Sequence, residues 1–224
     1  MKEYAIQLMN IGKAYRDGDG ENIVLKNISL KVQSSEFAAI VGPSGSGKST
    51  LLSIAGALLS PDEGVIIIGK QNISSREQKH WTSIRRERIG FIFQNHQLLP
   101  YLTVSEQLKL VQNMTKKGKK VDVPELLKDL GLDSCKDKYP EHLSGGEKQR
   151  TAIARAFMNE PDVILADEPT ASLDGERGRQ VVEMIRREVK RRNKAAIMVT
   201  HDERVLSLVD TVYYLDNGEL KKMA

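Results

Sequence analysis

The stretch Phe37-Ala38-Ala39-Ile40-Val41, followed by Gly42-Pro43-Ser44-Gly45-Ser46-Gly47-Lys48-Ser49-Thr50, decides how this chain is read. A short apolar run predicts a buried strand, and the apolar pattern from Ser49 to Leu59 predicts a helix. Between them lies G-x-x-x-x-G-K-[ST], which in a strand–turn–helix setting is a phosphate cradle. The glycines let backbone N–H groups turn inward at the positive end of the helix. Lys48 then reaches the β- and γ-phosphates of a nucleotide, and the Ser49 hydroxyl is placed to hold Mg²⁺.

Two further segments extend this chemistry. Val163-Ile164-Leu165-Ala166-Asp167-Glu168 is an apolar strand that ends in adjacent carboxylates. Taken alone, such a pair is an ordinary wet strand end. Beside a phosphate loop, Asp167 suits the metal and Glu168, facing the other way, suits polarising an attacking water. Leu143-Ser144-Gly145-Gly146-Glu147-Lys148-Gln149-Arg150 opens a helix whose face includes Ile153, Ala156 and Phe157. Ser144 is a natural N-cap, and the glycines bare the first N–H groups. One nucleotide does not need two such helix starts, so the second is read as gripping the γ-phosphate held by another copy of the chain.

Outward from these segments, apolar runs predict strands at Ala5 to Leu8, Val65 to Ile68, Ile89 to Phe93, Ala196 to Thr200 and Thr211 to Leu215. From Gly175 to Arg192, Val181, Ile185 and Val189 share one helical face, with Arg179, Arg186, Arg187, Lys190 and Arg191 on the other. Strands alternating with amphipathic helices imply an α/β fold, a mainly parallel sheet covered on both sides. Residues 95–159 read as a helical subdomain inserted into a core formed by 1–94 and 160–224, all one domain, with Met114 to Lys120 as a solvated loop.

Composition sets the outer bounds. The 224 residues carry 34 basic and 30 acidic side chains, a net +4, too weak a bias to indicate a nucleic-acid partner. The single cysteine, Cys135, excludes an internal disulfide and fits a reducing compartment. No apolar run approaches the roughly 18 residues that cross a bilayer, and the first residues lack the pattern of a signal peptide. His80, His96 and His142 read as surface or packing residues.

LSGGEKQR some twenty residues before ILADEP is similar to the signature of ATP-binding cassette (ABC) ATPases, and the resemblance covers essentially the whole chain. It implies a P-loop nucleotide-binding domain with a small antiparallel β subdomain, ATP and Mg²⁺ as ligands, and active hydrolysis. In the family's pattern Tyr15 matches the aromatic that stacks on adenine. Gln94, in Ile92-Phe93-Gln94-Asn95, matches the glutamine that senses Mg²⁺ and the γ-phosphate. Asp174, in Ser172-Leu173-Asp174, matches the intersubunit contact, and His201 matches the histidine that contacts the γ-phosphate. The implied assembly is a head-to-tail homodimer with two ATP–Mg²⁺ sandwiched between Lys48, Glu168 and His201 of one subunit and Ser144 to Gly146 of the other.

Ser75 to Phe93 and the following QNHQLLPYLTVSEQL resemble the MacB-type exporter and lipoprotein-release subfamily. QLLPYLTVSEQLKLV and ARAFMNEPDVILADEPTASLD look most like ATPase subunits of haem-efflux (HrtA-type) transporters of Gram-positive bacteria. This implies a peripheral subunit on the cytoplasmic face of the membrane, two copies working with two integral permease subunits. An apolar surface of Leu98, Leu99, Pro100, Tyr101 and Leu102 is then expected to receive a short cytoplasmic helix of the permease. The same subfamily resemblance also allows peptide or antibiotic export, or control of a cell-wall enzyme or sensor kinase without transport.

Overall fold

Side chains that alternate along the central strands split the interior into two apolar clusters, one on each side of a sheet. The structure is a computed structural model that describes residues 3–17, 20–74, 78–114, 121–171 and 173–223. Its first half contains strands β1 (Tyr4–Asp17), β2 (Gly20–Gln33), β3 (Phe37–Val41), β4 (Glu63–Ile68), β5 (Gln71–Asn72) and β6 (Ile89–Ile92), with helices α1 (Lys48–Ala55) and α2 (Trp81–Arg88). Helices α3 (Val104–Met114), α4 (Val123–Asp129) and α5 (Gly145–Phe157) follow. The chain closes with β7 (Val163–Asp167), α6 (Gly175–Arg191), β8 (Ala195–Val199), β9 (Thr211–Asp216) and β10 (Glu219–Lys222). Parts of the segments read above, 115–120, 75–77 and Ser172, lie outside the described residues.

The central sheet has six strands in the order β10-β9-β3-β8-β7-β6, and the second sheet four in the order β2-β1-β4-β5. In the central sheet β6, β7, β8, β3 and β9 run parallel, with β10 antiparallel at the edge. Ala38, Ile40, Val163, Leu165, Ile197 and Val199 face α1 and the antiparallel sheet. Phe37, Ala39, Ile164, Ala166, Ala196 and Met198 face the helices, packing with Leu108, Ile153, Phe157, Val182 and Ile185. Each large side chain buried in this way stabilises by about 1.5–3 kcal/mol.

The strand order builds the site. Because β8 lies between β3 and β7, the turns that leave the carboxyl ends of these three strands are neighbours at one edge of the sheet. That edge is where parallel α/β sheets hold ligands.

Two sequence expectations are revised, and the basic residues of α6 gain partners. The strand read as Ala5 to Leu8 runs on to Asp17, and its partner β2 was not legible. Left-handed Asn10 (φ 54) and Asn27 (φ 52) shift the buried positions from Leu8 to Ile11 and from Leu25 to Ile28, which breaks the period of two. The basic face of α6, opposite its apolar one, is paired with acidic groups. Arg191 pairs with Asp129 at 2.5 Å and Lys190 with Asp210 at 2.7 Å, and the fully buried Glu188 is held by Arg191 and Arg192 at 2.8 and 3.1 Å. Finally, α1 ends at Ala55 rather than Leu59, because left-handed Ala57 follows (φ 53). Among the described residues no helix is long and apolar enough to cross a membrane.

Candidate functional site

The phosphate loop leaves β3, all five residues of which are buried. Gly42 has φ 153, and a Cβ there would stand 2.0 Å from the Leu215 carbonyl oxygen, so no side chain fits. Gly47 has φ 98, with Val24 Cγ1 2.9 Å from where its Cβ would be. That contact also brings β2 of the antiparallel sheet against the loop. α1 starts at Lys48 with no side-chain cap, which leaves its leading N–H groups for a ligand. The Lys48 ammonium is folded over the loop and donates to the carbonyls of Gly42 at 2.9 Å and Pro43 at 2.7 Å. Pro43, Ser44, Gly45 and Ser49 are exposed, Thr50 is half-buried, and the Ser46 hydroxyl is buried with no partner.

Next to this loop, β7 ends in Asp167. Burial pushes its carboxyl above the usual range; the charge of Glu168 adds to this and Lys48 opposes it. Asp167 Oδ1 is buried and has no hydrogen-bond partner. Glu168 takes a left-handed backbone (φ 46) and donates its N–H to Val199 O of β8 at 3.0 Å. The Glu168 carboxylate accepts the His201 backbone N–H at 3.3 Å, and His201 Nδ1 lies 2.9 Å from the same Oε2. Thr200, before His201, donates its N–H to Ile40 O of β3 at 3.2 Å. The pairing of β3, β8 and β7 thus sets the loop, the carboxylates and the histidine side by side.

Gln94 stands exposed two residues beyond β6, whose Ile92 pairs with Ala166 just before Asp167. The next turn is held from α5, where Arg155 donates Nη2 to His96 O at 2.7 Å and Nη1 to Gln97 O. Tyr15 lies on the antiparallel sheet, partly exposed, with the Lys13 ammonium 5.4 Å from its ring centroid.

The Ser144-Gly145-Gly146 turn is built as read: Ser144 caps α5, its Oγ accepting from Glu147 N at 3.3 Å. Glu147 closes a capping box by accepting from Ser144 N at 2.7 Å, and these bonds hold its carboxyl below the usual range. Glu147, also read as part of the ATP site, has its carboxylate engaged in the cap. The turn lines a cleft of about 280 Å³ with Arg150, Leu173 and Arg177. No residue of 42–50, nor Asp167, Glu168 or His201, lines that cleft. Asp174 caps α6 by accepting from Arg177 N at 2.9 Å, and its side chain is exposed.

Residues 98–102 do not form the apolar groove that was expected of them. A groove of about 650 Å³ is lined by Leu58, Phe91, Phe93 and Val111, with Arg85 and Arg86. Of residues 94–102 only Gln97 reaches it. Tyr101 is 70% exposed and Leu98 packs into the helical cluster instead. Two residues of α5 were missed altogether: Arg155 and the buried Gln149, whose Nε2 donates to Pro169 O at 3.1 Å. The available signal was a glutamine on the apolar stripe shared with Ile153 and Ala156.

A phosphate loop, an acid-ended strand two places away in a parallel sheet, and a glycine-rich helix start define an ATP-binding cassette. The profile of the family described as "ABC transporter" matches residues 25–171, and the chain belongs to that family. It is an ATPase cassette that binds ATP. Among individual relatives, it is 49% identical over 97% of its length to a Staphylococcus haemolyticus protein, 99% of which is covered, named as the hemin import ATP-binding protein HrtA. The protein of that name from Staphylococcus aureus strain N315 is 46% identical over 96% of this chain and 99% of its own. Among solved structures, the cassette MJ0796, a dimer in a post-hydrolysis state bound to ADP and Pi, matches with TM-score 0.84 at 36% identity, covering 98% of this chain and 99% of that one. CbiO1 of Clostridium perfringens, part of the transporter complex cbiONQ, matches with TM-score 0.84 at 30% identity, over 98% and 88%.

Proposed function

We propose that this chain hydrolyses ATP in a head-to-tail dimer to drive haem out of the cell through a separate membrane permease, on whose cytoplasmic face it sits. The observation that carries the hydrolytic part is the Glu168–His201 pair beside the phosphate loop. The backbone N–H groups of residues 44–50 and the Lys48 ammonium grip the phosphates, and Tyr15 covers the adenine. Glu168 accepts the proton of the attacking water on its carboxylate while His201 fixes that carboxylate's direction. Ser144, Gly145 and Gly146 of a second copy close on the γ-phosphate, with Asp174 at the contact between copies.

Mg²⁺ fits the residues present. Ser49, Asp167 and Gln94 offer hard oxygen donors, and the unpartnered, buried Asp167 Oδ1 is the kind of atom a divalent cation satisfies. When bound, the ion neutralises charge on the phosphates. In this reading residues 95–159 form the signature subdomain and 1–94 with 160–224 the catalytic core.

The substrate assignment is supported by the hemin named in the relatives' own descriptions. Those names specify import. The outward direction rests on the resemblance of residues 75–108 to exporter-type cassettes. The groove of Phe91 and Phe93 supports a permease partner, since an apolar cleft edged by Arg85 and Arg86 suits a short amphipathic helix.

The test is the intracellular haem content of source cells lacking this chain, grown with added haem. Export predicts accumulation and slowed growth, relieved by the wild-type chain and not by Glu168→Gln. A lower haem content would mean import. Unchanged haem would favour the other subfamily roles, peptide or antibiotic export or control of a cell-wall enzyme or sensor kinase.

A further inference from the structure

We infer that Gln149 is a positioning residue for Glu168, tying the helix that starts at the Ser144–Gly146 turn to the peptide just beyond the carboxylate that activates water. The inference rests on the reading of Glu168 given above.

Glu168 holds a left-handed backbone (φ 46), which a residue with a side chain keeps only where its surroundings over-determine it. Three elements supply that restraint. From β8, Val199 O accepts the Glu168 N–H at 3.0 Å. From α6, Gly178 approaches Thr170 so closely that a Cβ on it would stand 3.3 Å from Thr170 Cβ. From α5, Gln149 Nε2 donates to the Pro169 carbonyl at 3.1 Å.

The third restraint differs from the others in what lies at its far end. Gln149 is five residues after Ser144, about 7.5 Å along the helix axis. A helix moves as a rigid rod over that length, so this bond passes a displacement of the Ser144–Gly146 turn directly to Pro169, and hence to Glu168. Closing on a phosphate held by the other copy would therefore set the carboxylate of the chain's own site.

The side chain suits the task. Gln149 is 2% exposed, and Pro169 and Thr170 are buried. A neutral amide gives a donor to a buried carbonyl without burying a charge. An ionised glutamate would place an acceptor against an acceptor, and methionine would fill the volume with no donor.

Steady-state phosphate release by the full chain, with Gln149→Met and Gln149→Glu, tests this. Gln149→Met should lower kcat at least about tenfold, since misplacing a reacting group by about 1 Å can cost about 10²-fold. KM for ATP should stay within about twofold, since ground-state binding is untouched. ATP-driven dimerisation in a Glu168→Gln background should also survive. Gln149→Glu should be most active at low pH, where a protonated carboxyl can donate to Pro169 O, and lose activity relative to wild type as pH rises.

A Gln149→Met enzyme with wild-type kcat overturns the inference, as does a loss of kcat accompanied by raised KM and lost dimerisation, which would mean general damage to α5. If that variant does not fold, a Gln149→Glu profile parallel to wild type overturns it equally. Should Glu168→Gln itself hydrolyse ATP normally, the reading of Glu168 fails first, and the two failures are distinguishable.

Discussion

Glu168 and His201, 33 residues apart in the chain, meet because β7 and β8 are neighbours: His201 donates its backbone N–H to the Glu168 carboxylate at 3.3 Å and brings Nδ1 within 2.9 Å of the same oxygen. The glutamate's side chain is 17% exposed and the histidine's 69%. One partner is therefore sheltered and aimed while the other faces whatever covers the sheet edge.

His201→Ala removes the aim but not the base. Phosphate release should fall about 10²-fold, at the lower end of what a positioned acid–base group contributes. Nucleotide affinity should change much less, as measured by titration with a fluorescent ATP analogue.

Lys48→Ala acts on binding itself. The ammonium that now bridges Gly42 O and Pro43 O is the charge available to the phosphates. Its loss should weaken ATP binding by about 1.5–3 kcal/mol, the range for a hydrogen bond to a charged group. Calorimetric titration with ATP checks this, and unchanged affinity would contradict the phosphate-loop account.

Ser144→Asp separates two roles of one residue. Aspartate caps a helix as well as serine does, so the melting temperature should hold, whereas Ser144→Ala should cost about 1 kcal/mol. The added carboxylate should nevertheless abolish ATP-driven dimerisation by repelling the incoming phosphate. Analytical ultracentrifugation with ATP is the readout.

Glu160 makes a pH prediction at the junction of α5 and β7. Burial pushes its carboxyl up, but Lys194 at 3.0 Å and Arg192 at 2.6 Å outweigh that and hold it below its ordinary 4.5. A carboxyl depressed on folding stabilises above its unfolded value, and that contribution is lost as pH falls through the folded value. Glu160→Gln should therefore melt lower than wild type at pH 7, and the gap should close on acidification below about pH 4.5. Thermal melts across that range check it.

Much of this was legible in the sequence where the local pattern is undisturbed. Phe37–Val41 was read with its observed bounds because a strand buried on both faces is a continuous apolar run between turn signals. Asp167 and Glu168 were legible because the strand that carries them is equally unbroken. β2 was not, since Asn27 shifts its phase. Neither was β10, whose Glu219, Leu220, Lys221 and Lys222 form an edge strand with little to bury. The pairing of Arg191 with Asp129 and of Lys190 with Asp210 was not legible because the partners come from distant elements. The apolar groove of Phe91 and Phe93 was not legible for a similar reason, its walls coming from four separate segments rather than one apolar word in the sequence.

The most direct test is Glu168→Gln, assayed for phosphate release and for oligomeric state with ATP and Mg²⁺ in the same preparation. The account predicts turnover reduced by about 10²-fold or more, the contribution of a general base, together with a stable ATP-dependent dimer. Hydrolysis at the wild-type rate would contradict it.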